Sequence, residues 1–106
     1  MPESESHRRA KNTAAGPSGS TEVPLRGGGR LDAQTPTKAV EIERSGDPQR
    51  LADAAARLKA SGKPQKVLQV LDPYFDKGVT AMKETGVSGT VKNMGGTKSR
   101  HIPKRR

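Results

Sequence analysis

Three acids, Asp32, Glu41 and Glu43, lie close together in the stretch Arg30 to Ser45 of a chain whose formal net charge is +9. If residues 38 to 44 form a strand, Val40 and Ile42 point to one face and Glu41 and Glu43 to the other, because strand side chains alternate with period two. A short turn back from a preceding strand would set Asp32 beside Glu41. A hard cation such as Mg²⁺ is held by one or two carboxylates together with water and substrate phosphate. The pattern therefore suits a divalent-metal site for phosphodiester chemistry. The plainer use of the same spacing is a solvated strand face whose acids pair with Arg30, Lys38 and Arg44.

The elements that must position these acids are legible around them. Thr21 to Leu25 suits a first short strand, confined to an edge or ended by Pro24, and Arg26-Gly27-Gly28-Gly29-Arg30 suits a hairpin turn. Arg30 to Thr35 forms the second strand, Thr35-Pro36-Thr37 a turn, and Lys38 to Arg44 the third strand. Asp47 and Pro48 then mark a helix start, one as a cap for orphan amides and the other at the first helical position. Leu51, Ala54, Ala55 and Leu58 recur at helical spacing, and Ser61-Gly62 ends the element. Gln65 to Leu71 is a mostly apolar run suited to a buried strand. Third strand, helix and this strand make a βαβ unit, for which a right-handed crossover is expected.

Asp72-Pro73 repeats the cap pattern before a helix to about Thr85, with Phe75, Val79 and Met82 on one face and Gly86 as its stop. Val87 to Met94 suits a last short strand. The outer segments are polar. Residues 1–20 read as an arm or as a short helix from about Glu3 to Ala15, residues 21–91 as the core, and residues 92–106 as a basic tail.

At 106 residues, with 29% hydrophobic and 2% aromatic residues, the chain has room for one small domain with a thin aliphatic core. A thin core favours burial against a second copy, so a homodimer is expected. The absence of cysteine excludes a disulfide framework, a zinc ribbon and thiol catalysis. Without an apolar leader or a run of roughly 18 apolar residues, the expected location is the cytoplasm, with nucleoid association in a bacterium or archaeon. No membrane partner and no small-molecule cofactor are expected. The positive charge predicts attraction to a polyanion, nucleic acid first, through a term that gives affinity without sequence specificity.

Other chemistries fit poorly. Gly95-Gly96-Thr97-Lys98-Ser99 lacks the glycine before lysine, and the following helix, that a phosphate-binding loop needs. His7 and His101 lie far apart, without companion ligands for zinc, and both fall in polar end segments where a general base would be poorly held.

The order helix, three meandering strands, helix, strand, with an acid on the second strand and acid-x-acid on the third, resembles the core of the PD-(D/E)XK nuclease superfamily. Many restriction endonucleases and the archaeal Holliday-junction resolvases belong to that group. The resemblance covers roughly residues 3 to 71. It implies an α/β fold with a mixed sheet, a restriction endonuclease-like αβββαβ core with a following helix. It also implies an Mg²⁺- or Mn²⁺-dependent endodeoxyribonuclease acting on DNA, branched or junction DNA included. In that frame Asp32 and Glu41 are the metal-binding acids, the Ile42 backbone carbonyl joins them, and Glu43 completes the catalytic set. Leu31 stands where the motif has proline, and Glu43 where lysine is usual; some restriction enzymes resemble this chain in having glutamate there. A further acid would come from Glu5 or Glu22, and the loop serine of resolvases would match Ser18 or Ser20. Phosphate contacts are expected from Arg30, Lys38, Arg44, Lys98, Arg100, Lys104, Arg105 and Arg106. The alternative expectation is a noncatalytic basic nucleic-acid-binding protein on a nuclease-like fold.

Overall fold

A computed structural model describes residues 8, 10, 11, 13, 14, 19–24 and 30–104, apart from the side chains of residues 20, 22–24, 30 and 31. Its frame is a mixed sheet of six strands in the order β1 to β6. β1 (Ser20–Pro24), β2 (Arg30–Gln34) and β3 (Lys38–Glu43) run as an antiparallel meander. The β2–β3 turn closes as its threonine and proline suggest, with the Thr35 hydroxyl oxygen accepting the Thr37 and Lys38 N–H groups. The Arg26–Gly29 turn expected between β1 and β2 lies outside the described residues.

From β3 the chain enters helix α1 (Pro48–Ala60), capped as expected by Asp47, whose carboxylate accepts the Gln49 N–H at 3.0 Å. It returns along β4 (Gln65–Val70), parallel to β3. A second crossover, helix α2 (Phe75–Thr85), leads to β5 (Gly89–Asn93), parallel to β4. Gly86 ends α2 in the left-handed conformation, at φ 76°. The start of that crossover departs from expectation. Asp72 caps no helix: Asp72–Tyr74 is a 3₁₀ turn without a side-chain cap, and α2 begins only at Phe75. The Asp72 carboxylate is drawn instead to Asn93 Nδ2 at 2.8 Å and Lys98 Nζ at 3.4 Å.

The stretch expected to be a basic tail supplies a sixth strand. β6 (Ser99–Ile102) pairs antiparallel with β5 and buries Ile102. Composition hid this strand because a single apolar residue anchors it. Much of its support is polar: buried Asn93 accepts the Lys98 N–H on its side-chain oxygen, donates to Thr97, and exchanges backbone bonds across the turn.

Both faces of the central strands are covered, as expected where parallel strands carry crossover helices. One face packs α1 and α2 through Leu51, Ala55, Leu58, Val79 and Met82 onto Ala39, Leu68, Val70 and Val91. On the other, Ala33, Val40 and Ile42 meet Ala10 and Ala14. Those alanines belong to an N-terminal stretch whose described residues are helical, in keeping with a short helix there. Among the described residues no helix is long and apolar enough to cross a membrane.

Candidate functional site

The alternation along β3 places Val40 and Ile42 under the N-terminal alanines and Ala39 under α1, so Glu41 also faces the α1 side. The consequence was not expected: Glu41 does not line an open carboxylate face but is 1% exposed, enclosed beneath α1. Sequence alternation divides a strand into two faces, and α1, folding back over β3, covers the one that carries the acids.

β2 and β3 pair through Ala33–Val40 and Gln34–Ala39. At the next step, where Asp32 meets Glu41, side chains take over the bonding. The Asp32 N–H donates to Glu41 Oε2 at 3.3 Å, and the Ile42 N–H donates to Asp32 Oδ2 at 2.8 Å. Each acid thereby accepts the N–H of the strand opposite, and the two carboxyl groups come within hydrogen-bonding reach of each other. The expected meeting of Asp32 and Glu41 is present, made by side-chain-to-backbone bonds.

Glu43 does not join the pair. Its carboxylate accepts the Ser45 N–H at 3.1 Å, and among the described residues no group of three acidic or imidazole side chains converges. Two residues along a strand is more than 6 Å of rise, so sharing a face does not bring Glu43 level with Asp32. Glu22 lies in β1 between the Thr21–Ala33 and Val23–Leu31 pairs, which puts its backbone beside Asp32; Glu5 and Ser18 lie outside the described residues.

The residue that sequence reasoning missed is Arg57. From the last turn of α1 its Nε donates to Glu41 Oε1 as an ion pair, with the Arg57 side chain 34% exposed and that of Glu41 1%. A basic residue in a last helical turn ordinarily reads as a complement to the helix dipole. Only its place beside Ala54 and Leu58, at the border of the buried stripe, hinted at an inward contact.

Burial pushes the Glu41 pKa up to about 9; the hydrogen bond and negative charge of Asp32 push the same way, and Arg57 pulls against them. The same contact raises the Arg57 pKa, against the opposing effect of its own burial. Unfolded, Glu41 titrates near 4.5. Between that value and about 9 the folded chain holds more protons than the unfolded one, so stability falls as pH rises through the window. The melting temperature of metal-free protein is therefore expected to drop from pH 5 to pH 9, and Glu41→Gln to flatten the slope. Thermal unfolding followed by circular dichroism checks both.

The expected phosphate contacts scatter. Lys38 sits at the opposite end of β3 and lines a cleft with Gln69, Lys92 and Met94. Lys98 is bonded to Asp72, while Arg100 and Lys104 are exposed at and beyond β6. Arg44 directly follows β3, nearest the acids in sequence; the side chain of Arg30, and Arg105 and Arg106, lie outside the described residues. No family model matches the chain, and comparison with curated proteins and with solved structures gives no match.

Proposed function

We propose that the chain is a divalent-metal-dependent nuclease of the PD-(D/E)XK type, hydrolysing phosphodiester bonds in DNA at the Asp32–Glu41 pair. The observation that carries this reading is the point where the β2–β3 ladder gives way to paired carboxyl groups. Two acids held this close, one of them buried, are costly unless a cation balances them. The donor set fits Mg²⁺ or Mn²⁺, hard ions that take one or two carboxylates and leave their other positions to water and phosphate. Asp32 and Glu41 would hold the ion, with the Ile42 backbone carbonyl beside them. When bound, such an ion supplies positive charge that polarises the scissile phosphate and acidifies water.

The protein's own groups do the rest. The Ile42 N–H fixes the Asp32 carboxylate and the Asp32 N–H fixes that of Glu41, so both acids are oriented before substrate arrives. Glu43, two residues along the same strand and only half-buried, is the carboxylate that would accept a proton from the attacking water. Arg44, immediately beyond it, would position the phosphate backbone, with the general positive charge adding salt-dependent affinity.

One observation favours a second reading. Arg57 already balances Glu41 beneath α1, as it would in a noncatalytic nucleic-acid-binding protein whose former metal position is filled permanently. Labelled duplex, single-stranded and branched DNA incubated with and without Mg²⁺ or Mn²⁺ separates the two. The nuclease reading expects nicking of at least one substrate that depends on the metal. Binding without cleavage across the panel would leave the second reading in place.

A further inference from the structure

The sheet has a second face, turned away from α1 and α2, and its charge is one-sided. Val40 and Val67 face the N-terminal alanines, so alternation puts Lys38 on that face of β3 and Gln69 on that face of β4. On β5, Val91 faces the crossover helices, which turns Lys92 the same way as Lys38. Among the described side chains the acids lie elsewhere. Asp47 caps α1, Asp53 lies on it, Asp76 and Glu84 lie on α2, and Asp72 is in the turn before α2. Asp32, Glu41 and Glu43 occupy strand positions on the α1 side. Lys38, Gln69 and Lys92 line a cleft of about 320 Å³ against Ala10 and Ala14. Both lysines are half-buried, and among the described residues neither side chain has an ion-pair or hydrogen-bond partner. Two unpaired ammonium groups drawn into one recess repel each other and lose part of their hydration, a cost that a bound anion offsets.

We infer that this cleft binds the phosphodiester backbone of a nucleic acid, with Lys38 and Lys92 each taking a phosphate. Register separates the two lysines: Lys38 is level with Gln65 of β4 and Lys92 with Gln69, a stagger of roughly 13 Å at about 3.3 Å per residue. A run of phosphates suits that stagger better than a single phosphate group. An anionic membrane is the poorer fit, because recessed lysines meet a flat layer of headgroups badly while a strand of phosphates can enter the cleft. The chain has no tryptophan, and Tyr74 and Phe75 lie at the start of α2, so the contact rests mainly on charge and carries little sequence preference. This face lies across the sheet from the acid pair and needs neither it nor a metal ion.

The test uses the full chain and reads binding. Anisotropy of fluorescein-labelled single-stranded and duplex DNA is followed in EDTA, so that cleavage does not intervene and the metal-site reading stands or falls separately. For whichever DNA binds more tightly, Lys38→Gln/Lys92→Gln protein is expected to bind about tenfold more weakly, with a salt dependence shallower by roughly two phosphate contacts. Exposed Lys59 and Lys83, on α1 and α2, supply the charge-matched control: Lys59→Gln/Lys83→Gln should cost about twofold or less, through net charge alone. Equal losses in the two double variants, or DNA affinity untouched by Lys38→Gln/Lys92→Gln, would overturn the inference. So would release of the DNA by millimolar inorganic phosphate at constant ionic strength, or Lys38→Gln/Lys92→Gln weakening attachment to phosphatidylserine vesicles more than to DNA. A second measurement needs no substitution. Acetylation of the unchanged protein, mapped by mass spectrometry, should slow at Lys38 and Lys92 when DNA is added while Lys59 and Lys83 react as before; the same rate change at all four would overturn the assignment.

Discussion

Asp32→Asn protein is expected to lose metal-dependent DNA cleavage by about 100-fold or more while keeping its fold and most of its DNA affinity. Outer-shell partners of a metal ligand alone are worth roughly 10- to 100-fold in activity or metal affinity, and a direct ligand should cost at least as much. Asparagine is the informative replacement. Its side-chain oxygen can still accept the Ile42 N–H that Asp32 Oδ2 accepts at 2.8 Å, so the strand junction survives while the negative charge is removed. Alanine would remove both and confuse a broken junction with a missing ligand. DNA binding should persist because most of the positive charge lies elsewhere on the chain. Cleavage rates and melting temperatures measured side by side decide the matter: unchanged cleavage by a folded Asp32→Asn protein would remove Asp32 from the site.

The second large effect concerns the fold and lies far from the acids. Gly89→Ala is expected to destabilise the fold strongly, lowering its urea midpoint well beyond error. Gly89 opens β5 at φ 151°, a conformation that side chains rarely adopt, and a Cβ there would stand 2.2 Å from the Lys66 carbonyl oxygen of the neighbouring strand. That obstacle is backbone, so no rotamer change relieves it; β4 and β5 would have to part at the start of their parallel pairing, Val67–Thr90. Backbone strain of this kind costs roughly 1–3 kcal/mol, and the lost pairing adds to it. Against a total stability of roughly 5–15 kcal/mol for a domain, a loss of that size is a substantial share. Urea unfolding of the purified variant gives the value, and a midpoint within error of the unchanged protein would contradict the packing described for β5.

The contrast between Gly89 and Gly78 shows how differently two glycines can be read. Gly78 inside α2 looks in sequence like a helix weakened by about 1 kcal/mol relative to alanine. In the structure it is the place where α2 approaches Val70 and Val91, whose methyl groups lie 3.2 Å from a Cβ added there. Gly89 looks like an ordinary member of an alternating strand. Neither role can be seen without the neighbouring strands, because the atoms that crowd a side chain at Gly78 and bar one at Gly89 belong to other elements.

What the sequence determined by itself was local. The Asp47 cap and the Pro48 start of α1, the apolar stripe Leu51, Ala54, Ala55 and Leu58, the turn at Thr35–Thr37, the β3–α1–β4 unit and the adjacency of Asp32 and Glu41 all follow from periodicity and turn chemistry over short spans. They appear in the structure as those rules require. Tertiary structure alone decided three things. β6 forms because Ile102 finds the core and Asn93 stitches the turn, although the segment's composition is that of a basic tail. Glu43 stays apart from Asp32 and Glu41 because strand rise carries it past them and Ser45 holds its carboxylate. Arg57 reaches Glu41 because α1 lies across β3 in one rotation, and their separation of 16 along the chain carries no periodic trace of that meeting. Whether the acid pair faces water or a guanidinium is thus set by the packing of a helix on a sheet, which no spacing of acids along the chain could reveal.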